Sequence, residues 1–268
     1  MKIGNRIFDT DHNTYIMGIL NVTPDSFSDG GKWNQKDAAL KHTEEMIQEG
    51  ADIIDIGGES TRPGYTLLPD EEEMERVLPM IEMVKANFDI PVSIDTYKSR
   101  VAEAAVKAGA DLVNDIWGLK YDEKLADVIV KYDVACCLMH NRKEAVYENF
   151  IEDMLNDLRD TVAIAKKAGI ADDKIMLDPG VGFGKTYEHN LEAISHLERL
   201  HELSYPILLG TSRKSVIGNT LNLPASERVE GTLVTTVFGV QKKAAFIRVH
   251  DIKENKRAIL MTKAILGC

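Results

Sequence analysis

Carboxylate and amide side chains stand at the ends of several short apolar runs in this sequence. Asp95, Asn114, Asp115 and Asp178 are the clearest cases. Together they suit a ligand that presents several N–H groups in one plane, such as an aminopyrimidinone edge, because an ionised carboxylate accepts two parallel hydrogen bonds. A divalent metal ion is the alternative occupant. For Asp115 we instead expect a capping role at the start of the following helix.

Basic side chains gather in the last third of the sequence, in Ser212-Arg-Lys-Ser215 and in Arg248-Val-His250. Arg248 and His250 are two residues apart on a predicted strand, so both side chains share one face and can reach the same anion. The alternative treats Arg248 as a partly exposed edge residue and His250 as its polar neighbour. We favour the anion site because a chain of net charge −11 places several donors together here.

Two familiar cofactor patterns are incomplete. His140 alone does not make a zinc site, and the first apolar run lacks the His-x-His pair of metal-dependent hydrolytic barrels. The segment Gly180-Val-Gly-Phe-Gly-Lys-Thr186 has three residues between Gly180 and Gly184, whereas a nucleotide-binding P-loop needs four. We therefore interpret this segment as a flexible loop that brings Phe183 over a planar ligand.

The elements that carry these residues are eight apolar runs, which we interpret as buried parallel strands. Apolar residues at helical spacing fill most of the intervals. This alternation predicts an α/β fold, the (β/α)8 TIM barrel, in which active sites lie at the carboxyl ends of the strands and the last two strands often hold a phosphate. The predicted strands are residues 16–21, 53–57, 92–95, 112–115, 134–140, 175–178, 207–210 and 246–250.

The 268 residues fit a single barrel domain, 1–268, because the length is close to the ~250 of that fold and no linker interrupts the chain. Residues 2–16 predict a short β-hairpin, with its turn at 9–13, that plugs the amino-terminal end of the barrel. Two long polar loops, 21–34 and 57–69, are predicted to be lids or binding loops at the catalytic mouth.

Charge and cysteine content limit the binding partners and the cell compartment expected for the protein. The net charge of −11 argues against nucleic-acid and anionic-membrane partners. Cys136 and Cys137 are adjacent in a predicted strand and point to opposite faces, which favours core residues in a reducing cytoplasm over a disulfide framework. No apolar run approaches the ~20 residues of a membrane span. We therefore expect a cytoplasmic protein.

Over essentially its whole length the sequence resembles the dihydropteroate synthase family of the folate pathway. Asn21-Val-Thr-Pro-Asp-Ser-Phe-Ser-Asp-Gly-Gly31 is similar to the first signature loop of that family, and Asp55-Ile-Gly-Gly-Glu-Ser-Thr-Arg-Pro-Gly64 to the second. The shorter motifs follow in the family's order: Asp95-Thr96, Asn114-Asp115, Asp178-Pro-Gly, Ser212-Arg-Lys214 and Arg248-Val-His250.

The resemblance implies a transferase that condenses 6-hydroxymethyl-7,8-dihydropterin pyrophosphate with 4-aminobenzoate, giving 7,8-dihydropteroate and pyrophosphate, with Mg2+ as cofactor. It implies Asp95, Lys214 and Arg248 as catalytic residues and Asn21 as the ligand of Mg2+. An aminobenzoate pocket of this kind is also a sulfonamide target. The implied pterin site is Asp95, Asn114, Met139, Asp178, Phe183, Lys214 and Arg248; the aminobenzoate pocket is Phe27, Thr61, Pro63 and Ser215, bordered by Phe183; the pyrophosphate site is Asn21, Arg248 and His250.

The resemblance also leaves alternatives to weigh. Members of the family are usually homodimers, so a homodimer is expected. Residues 141–144 depart from the family's Gly/Pro-containing stretch, which leaves the shape of the fifth loop open. A pterin-dependent corrinoid methyltransferase shares the barrel but would not need the aminobenzoate loops, and a non-catalytic pterin-binding paralogue would not need a diphosphate site. The intact loops, with Asn21, Lys214, Arg248 and His250, favour the synthase.

Overall fold

The strands predicted from the apolar runs form a barrel. The computed structural model describes residues 1–22, 32–59 and 67–267, with the backbone alone for residues 32–36. The barrel strands are β3 (Tyr15–Asn21), β4 (Ile53–Gly57), β5 (Val92–Asp95), β6 (Leu112–Asp115), β7 (Ala135–Met139), β8 (Ile175–Asp178), β9 (Leu208–Leu209) and β10 (Phe246–Val249). All pair in parallel, in the order β8-β7-β6-β5-β4-β3-β10-β9, and a bridge between Leu177 and Ile207 brings the two edges together.

Helices lie between successive strands and cover the outer face of the sheet, as the helical spacing of apolar residues predicts. Two of them, α7 and α8, follow β9, and α9 follows β10. One of the helices begins at Asp70 directly after Pro69. The helices are α1 (Lys32–Glu49), α2 (Asp70–Asn87), α3 (Ser99–Lys107), α4 (Leu125–Tyr132), α5 (Phe150–Ala168), α6 (Tyr187–Ser195), α7 (Ser215–Leu221), α8 (Val229–Gln241) and α9 (Ile252–Leu266).

Alternate residues of each strand point into the barrel and out toward the helices. Cys137 belongs to the inner apolar cluster and its neighbour Cys136 to the outer one, which confirms that both are core residues on opposite faces. The apolar part of the interior lies toward the amino-terminal ends of the strands, leaving the carboxyl ends to polar side chains. The inner cluster includes Met17, Ile53, Leu112, Cys137, Met176, Leu208 and Phe246.

The amino-terminal hairpin is present, but its predicted turn at residues 9–13 is wrong. Strand β1 (Lys2–Ile3) pairs antiparallel with β2 (Arg6–Ile7), so the connection is only two residues long. Gly4 has a φ of +58°, which glycine adopts without strain and which permits this tight turn. Ile3 and Phe8 are buried in the inner cluster, so the expected plug at this end of the barrel is confirmed.

Two strands are shorter than their apolar runs. The run 207–210 contributes only the pairs Phe246↔Leu208 and Ile247↔Leu209 to the ladder with β10, and Ile207 forms an isolated bridge with Leu177 on the other side. The run 134–140 is a strand only from Ala135 to Met139. None of the described helices is long and apolar enough to cross a bilayer.

Candidate active site

Strand register brings several predicted site residues into one row at the barrel mouth. Asn21 lies opposite Gly57, Gly57 opposite Asp95, and Asp95 opposite Asn114, on the four successive strands β3 to β6. Residues in register on neighbouring parallel strands face the same side of the sheet. Gly57 leaves space within the row, since a Cβ there would lie 3.5 Å from Asp95 Cβ and 3.9 Å from Asn21 Oδ1.

Arg248 joins this row to a carboxylate that the sequence analysis did not select. Its Nε donates to Asp55 Oδ2 at 2.7 Å and its Nη2 to Asp95 Oδ2 at 2.6 Å. Asp55 is completely buried, and the Arg248 side chain is 19% exposed. One signal could have identified Asp55, since it is the single charged residue inside the apolar strand Ile53–Gly57. One guanidinium therefore pairs with two carboxylates, which leaves a net negative charge when both are ionised.

The two carboxylates keep unused hydrogen-bonding capacity. Asp55 Oδ1 and Asp95 Oδ1 are buried and have no hydrogen-bond partner among the described residues. Burial raises the pKa of Asp95 to about 7, with Arg248 opposing the rise and Asp55 adding to it. Buried polar atoms are normally paired in a native protein, so these two oxygens at the mouth are candidate acceptors for the N–H groups of a ligand.

This raised pKa predicts a pH dependence of stability. Since the pKa of Asp95 is about 7 in the folded protein, the folded protein retains a proton that the unfolded chain, whose aspartate pKa is about 3.9, has released. The free energy of unfolding therefore falls as pH rises between these two values. Relative to Asp95→Asn, wild-type protein should lose at most about 1.4 kcal/mol per pH unit in urea denaturation. Parallel pH profiles for the two proteins would contradict this.

Asp178 and Lys214 form the second charged pair of the mouth. Asp178 is 5% exposed, and its Oδ1 accepts the Gly180 N–H at 2.6 Å. Burial raises the pKa of Asp178, and Lys214 opposes this rise. Burial also lowers the pKa of Lys214 to about 8, against the attraction of Asp178. Lys214 Nζ donates to the Val181 carbonyl, so the lysine links the loop after β9 to the glycine-rich segment 180–184.

An apolar wall flanks these charges. Tyr97, Ile116 and Met139 are buried together, and Trp117 and Phe183 pack against them. Lys214 Nζ lies 4.8 Å from the centroid of the Phe183 ring. Trp117 Nε1 is buried without a partner among the described residues, which adds a donor to the wall. Aromatic and thioether surface beside a row of carboxylates suits a flat heteroaromatic ring with N–H groups on its edge.

Contacts with neighbouring residues hold the glycine-rich segment 180–184 in place. Gly180 has a φ of +69°, and a Cβ on it would lie 1.9 Å from the carbonyl oxygen of His140. The Gly182 N–H donates to Asn190 Oδ1 at 2.6 Å. Phe183 N–H donates to the Gly180 carbonyl at 3.1 Å. These contacts fix the position of Phe183, whereas the sequence led us to expect a flexible loop.

Gly180→Ala should therefore be far more damaging than an alanine at another left-handed glycine. Its Cβ forces the backbone apart, so we expect a loss of about 3 kcal/mol or more of unfolding free energy. Gly169→Ala is the matched control, because Gly169 has a φ of +100° with nothing within 4 Å of its Cβ position. That change should cost about 1 to 2 kcal/mol. Equal losses in urea denaturation would show that the His140 contact is unimportant.

His250 is oriented by Ser212. The Ser212 hydroxyl accepts the His250 backbone N–H at 3.1 Å and lies 2.9 Å from His250 Nδ1. Because the hydroxyl can accept from the backbone and donate its own proton to Nδ1, this contact favours the tautomer with the imidazole proton on Nε2. Arg213 does not join the predicted basic group, since its guanidinium pairs with Asp251.

Asp115 lies outside this mouth. It is completely buried, and its carboxylate accepts the N–H groups of Trp117 at 2.8 Å and Leu119 at 2.5 Å. It therefore caps the turn after β6. The expected role at the start of a helix is wrong, because α4 begins only at Leu125.

The predicted aminobenzoate pocket is described only in part. Ser215 is exposed and begins α7 directly after Lys214, close to the charged pair. Phe27, Thr61 and Pro63 lie outside the described residues.

A buried charge cluster that the sequence analysis missed lies beside the second mouth loop. Lys98 Nζ donates to Glu59 at 2.5 Å, to Glu73 at 2.7 Å and to the Leu68 carbonyl at 2.8 Å. All three charged side chains are at most 7% exposed. Tyr97 of the apolar wall donates its hydroxyl to Glu59 at 2.8 Å. This cluster connects the ends of β4 and β5 with the start of α2.

Comparisons with known proteins point to one family. Residues 17–250 match the family model described as pterin binding enzyme. A dihydropteroate synthase of Clostridium beijerinckii is 62% identical over 267 residues, 99% of each chain. A dihydropteroate synthase structure from Clostridium difficile in the presence of pteroic acid has a TM-score of 0.94 and 51% identity, covering 97% of this chain and 99% of its own. One from Xanthomonas albilineans with 4-aminobenzoic acid has a TM-score of 0.91 and 40% identity, covering 95% and 94%.

Proposed function

This chain belongs to the dihydropteroate synthase family of pterin-binding transferases, and we propose that its strand-end row is where 6-hydroxymethyl-7,8-dihydropterin pyrophosphate and 4-aminobenzoate condense to 7,8-dihydropteroate and pyrophosphate. The observation that carries this assignment is the pair of unpartnered buried oxygens, Asp55 Oδ1 and Asp95 Oδ1, beside the apolar wall. The relatives solved with pteroic acid and with 4-aminobenzoic acid support the choice of ligands.

The pterin edge should be held by groups of both signs. Asp95, Asp178 and the amide oxygen of Asn114 accept from the amino and ring N–H groups, because an ionised carboxylate can accept two parallel bonds. Lys214 faces Asp178 across the mouth and supplies a donor to the ring oxygen or nitrogen. Met139 and Phe183 then cover the ring face. Arg248 keeps N–H groups beyond the two that bind Asp55 and Asp95, so it can also face the substrate.

The leaving group needs donors on the opposite side. Arg248 and the Nε2–H of His250 are proposed to bind the pyrophosphate. Asn21 would ligate Mg2+, since its amide oxygen lies at the mouth beside Asp95 and Mg2+ often takes few protein ligands with several phosphate oxygens. When bound, Mg2+ neutralises charge on the pyrophosphate.

The charged side chains of the site match the charges that develop as the C–O bond breaks and the new C–N bond forms. The C–O bond between the pterin methylene and pyrophosphate breaks, and the aminobenzoate nitrogen bonds to that methylene and loses a proton. Positive charge develops on the pterin as the bond breaks, so Asp95 and its neighbour Asp55 favour the transition state electrostatically. Arg248 and His250 favour the departing negative charge. Ser215, with Phe27, Thr61 and Pro63, is proposed to position aminobenzoate for attack.

The function is tested by measuring pyrophosphate release from the dihydropterin substrate with Mg2+, with and without 4-aminobenzoate, and identifying the product. We expect release that depends on aminobenzoate and on Mg2+ and that yields dihydropteroate, with a sulfonamide competing against aminobenzoate. Pterin binding without turnover would indicate the non-catalytic paralogue. Methyl transfer to a corrinoid protein would indicate the methyltransferase.

The proposed homodimer finds support on α8 and α9, which pack side by side. Apolar side chains are exposed along both helices, including Val234 at 58% and Met261 at 62%. Apolar surface concentrated on neighbouring helices is typical of a protein interface. The other exposed apolar residues of these helices are Phe238, Leu260, Ile265 and Leu266.

Val234→Glu combined with Met261→Glu should therefore convert a dimer into a monomer of 29.8 kDa, measured by light scattering after size exclusion. Buried carboxylates without partners would oppose the association. Ile7→Glu is the control, because Ile7 is 83% exposed but lies on the amino-terminal hairpin. A dimer that survives the double change, or that is lost with Ile7→Glu, would place the interface elsewhere.

A further inference from the structure

Lys185 closes the glycine-rich segment, and no step of the proposed reaction uses it. Its Nζ lies 2.7 Å from His140 Nδ1 and donates to the Phe183 carbonyl at 3.0 Å. We propose that Lys185 is a positioning residue of the pterin site, held by a neutral His140 and an ionised Asp157, and that it fixes the segment that carries Phe183. This inference rests on the proposed function, since pterin ligands are its probes.

The state of His140 follows from its two neighbours. The imidazole is buried, and its Nε2 lies 3.0 Å from Asp157 Oδ2. An ionised carboxylate can only accept, so Nε2 carries the proton and Nδ1 is left as an acceptor. Burial lowers the pKa of His140 to about 4, which keeps the ring neutral. A neutral ring with this tautomer offers Lys185 the acceptor that it needs.

Asp157 stays ionised because a second cation supports it. Arg142 Nε donates to the same Oδ2 at 2.6 Å. Burial alone would raise the pKa of Asp157, but the hydrogen bonds from His140 and Arg142 hold this pKa below its usual range. Arg142 comes from the segment 141–144, where the sequence departs from the family pattern. The fifth loop of the protein thus supplies Arg142, the outermost residue of a hydrogen-bonded series that runs Arg142–Asp157–His140–Lys185.

The segment that Lys185 holds is in direct contact with the pterin site. The His140 N–H donates to the Asp178 carbonyl at 2.9 Å, so His140 contacts β8 as well as Lys185. Phe183 lies in the apolar wall and has Lys214 over its ring. If the Lys185 donor is removed, the Phe183 carbonyl and His140 Nδ1 both lose a partner, and the wall loses its anchor on this side.

The charges around Lys185 come from several elements. Asp178 of β8 and Asp157 of α5 attract its ammonium, whereas Lys214 and Arg142 repel it. Burial lowers the pKa of Lys185 to about 7. Lys185 therefore changes its charge close to Asp178 near neutral pH. It can donate to both acceptors in either protonation state, so the geometry does not depend on that charge.

The test compares Lys185→Met with Lys185→Arg and Lys120→Met in the full chain. Methionine keeps the aliphatic stem but removes the donor, whereas arginine keeps two donors. Lys120 is the matched control, because it is an exposed lysine that donates to the Asp157 backbone carbonyl at 2.9 Å rather than to Phe183 or His140. We expect Lys185→Met to weaken pteroate binding by about tenfold. The KM for the dihydropterin substrate should rise while that for aminobenzoate stays constant, and arginine should restore binding.

A second measurement tests the hydrogen-bonded series from Arg142 to Lys185 directly. In 15N NMR of the wild type, His140 should be neutral with its proton on Nε2. Asp157→Asn removes the ionised acceptor, so the tautomer should no longer be fixed and pteroate binding should weaken as in Lys185→Met. Because Asp157→Asn keeps the shape of the side chain, it tests the proposal even if Lys185→Met does not fold.

The outcomes separate the two proposals. Wild-type pteroate affinity in a folded Lys185→Met, or a His140 proton on Nδ1, would overturn the positioning role while leaving the synthase assignment intact. Absence of pteroate binding and turnover in the wild type would instead contradict the proposed function, and this inference with it.

Discussion

Asp95→Asn should lower kcat/KM for the dihydropterin substrate by about 100-fold to 1,000-fold, because the change removes a preorganised charge where positive charge develops. The amide keeps the shape of the carboxylate, and Arg248 keeps Asp55 as its partner. The variant should therefore fold. It should even gain stability at neutral pH, since it removes a buried negative charge that Asp55 repels.

Asp115→Asn is the matched control for this prediction. Asp115 lies at the end of the neighbouring strand β6, but its carboxylate caps the turn at Trp117 and Leu119. The amide offers one acceptor oxygen in place of two, so one of these N–H groups should lose its partner. This should reduce the free energy of unfolding by about 1 to 2 kcal/mol and leave kcat/KM near the wild-type value. Steady-state kinetics and urea denaturation of both variants decide the matter. Similar losses of activity in the two would mean that Asp95 has no special role.

Lys98→Met should be the most destabilising single change at the mouth. It leaves Glu59 and Glu73 buried without a cation, and breaking a buried ion pair from one side costs about 3 to 5 kcal/mol. Part of that cost will be relieved by protonation, since burial already raises the pKa of Glu73 against the effect of Lys98. The loss should therefore be smaller in acid than at neutral pH.

Lys131→Met is the comparison for Lys98→Met. Lys131 also pairs with a glutamate, at 2.8 Å from Glu103, but its side chain is 61% exposed. Exposed pairs contribute little because water and salt screen them. The midpoint of urea denaturation should move clearly for Lys98→Met and hardly at all for Lys131→Met. A Lys98→Met protein as stable as the wild type would show that the cluster is not held together by its charges.

The barrel and much of its mouth could be predicted from the sequence, because both depend on local patterns. Continuous apolar runs predict the strands, and several strands end where the run meets polar residues, as at Asp95, Asp115 and Asp178. The carboxyl ends of parallel strands then meet at one mouth by geometry alone.

What the sequence could not reveal depends on contacts between distant residues. Asp55 joins the candidate site only because Arg248, 193 positions later, binds it. Lys98 finds Glu59 and Glu73 from two other elements. The turn that Asp115 caps was also beyond a pattern, because the capping role expected from the sequence was placed at the start of a helix, and α4 begins only at Leu125. Gly4 misled the hairpin prediction, because its left-handed conformation permits a turn earlier than the polar residues 9–13 suggest.

The measurement that tests the account most directly is a crystal structure of this protein with pteroate and Mg2+. We predict that the pterin ring lies against Met139 and Phe183, with Asp95 Oδ1 at about 2.7 to 3.2 Å from a ring or amino N–H. Asn114 and Asp178 should meet the same edge. A ring bound away from this row, or a bound ring that leaves Asp95 Oδ1 without a partner, would contradict the account.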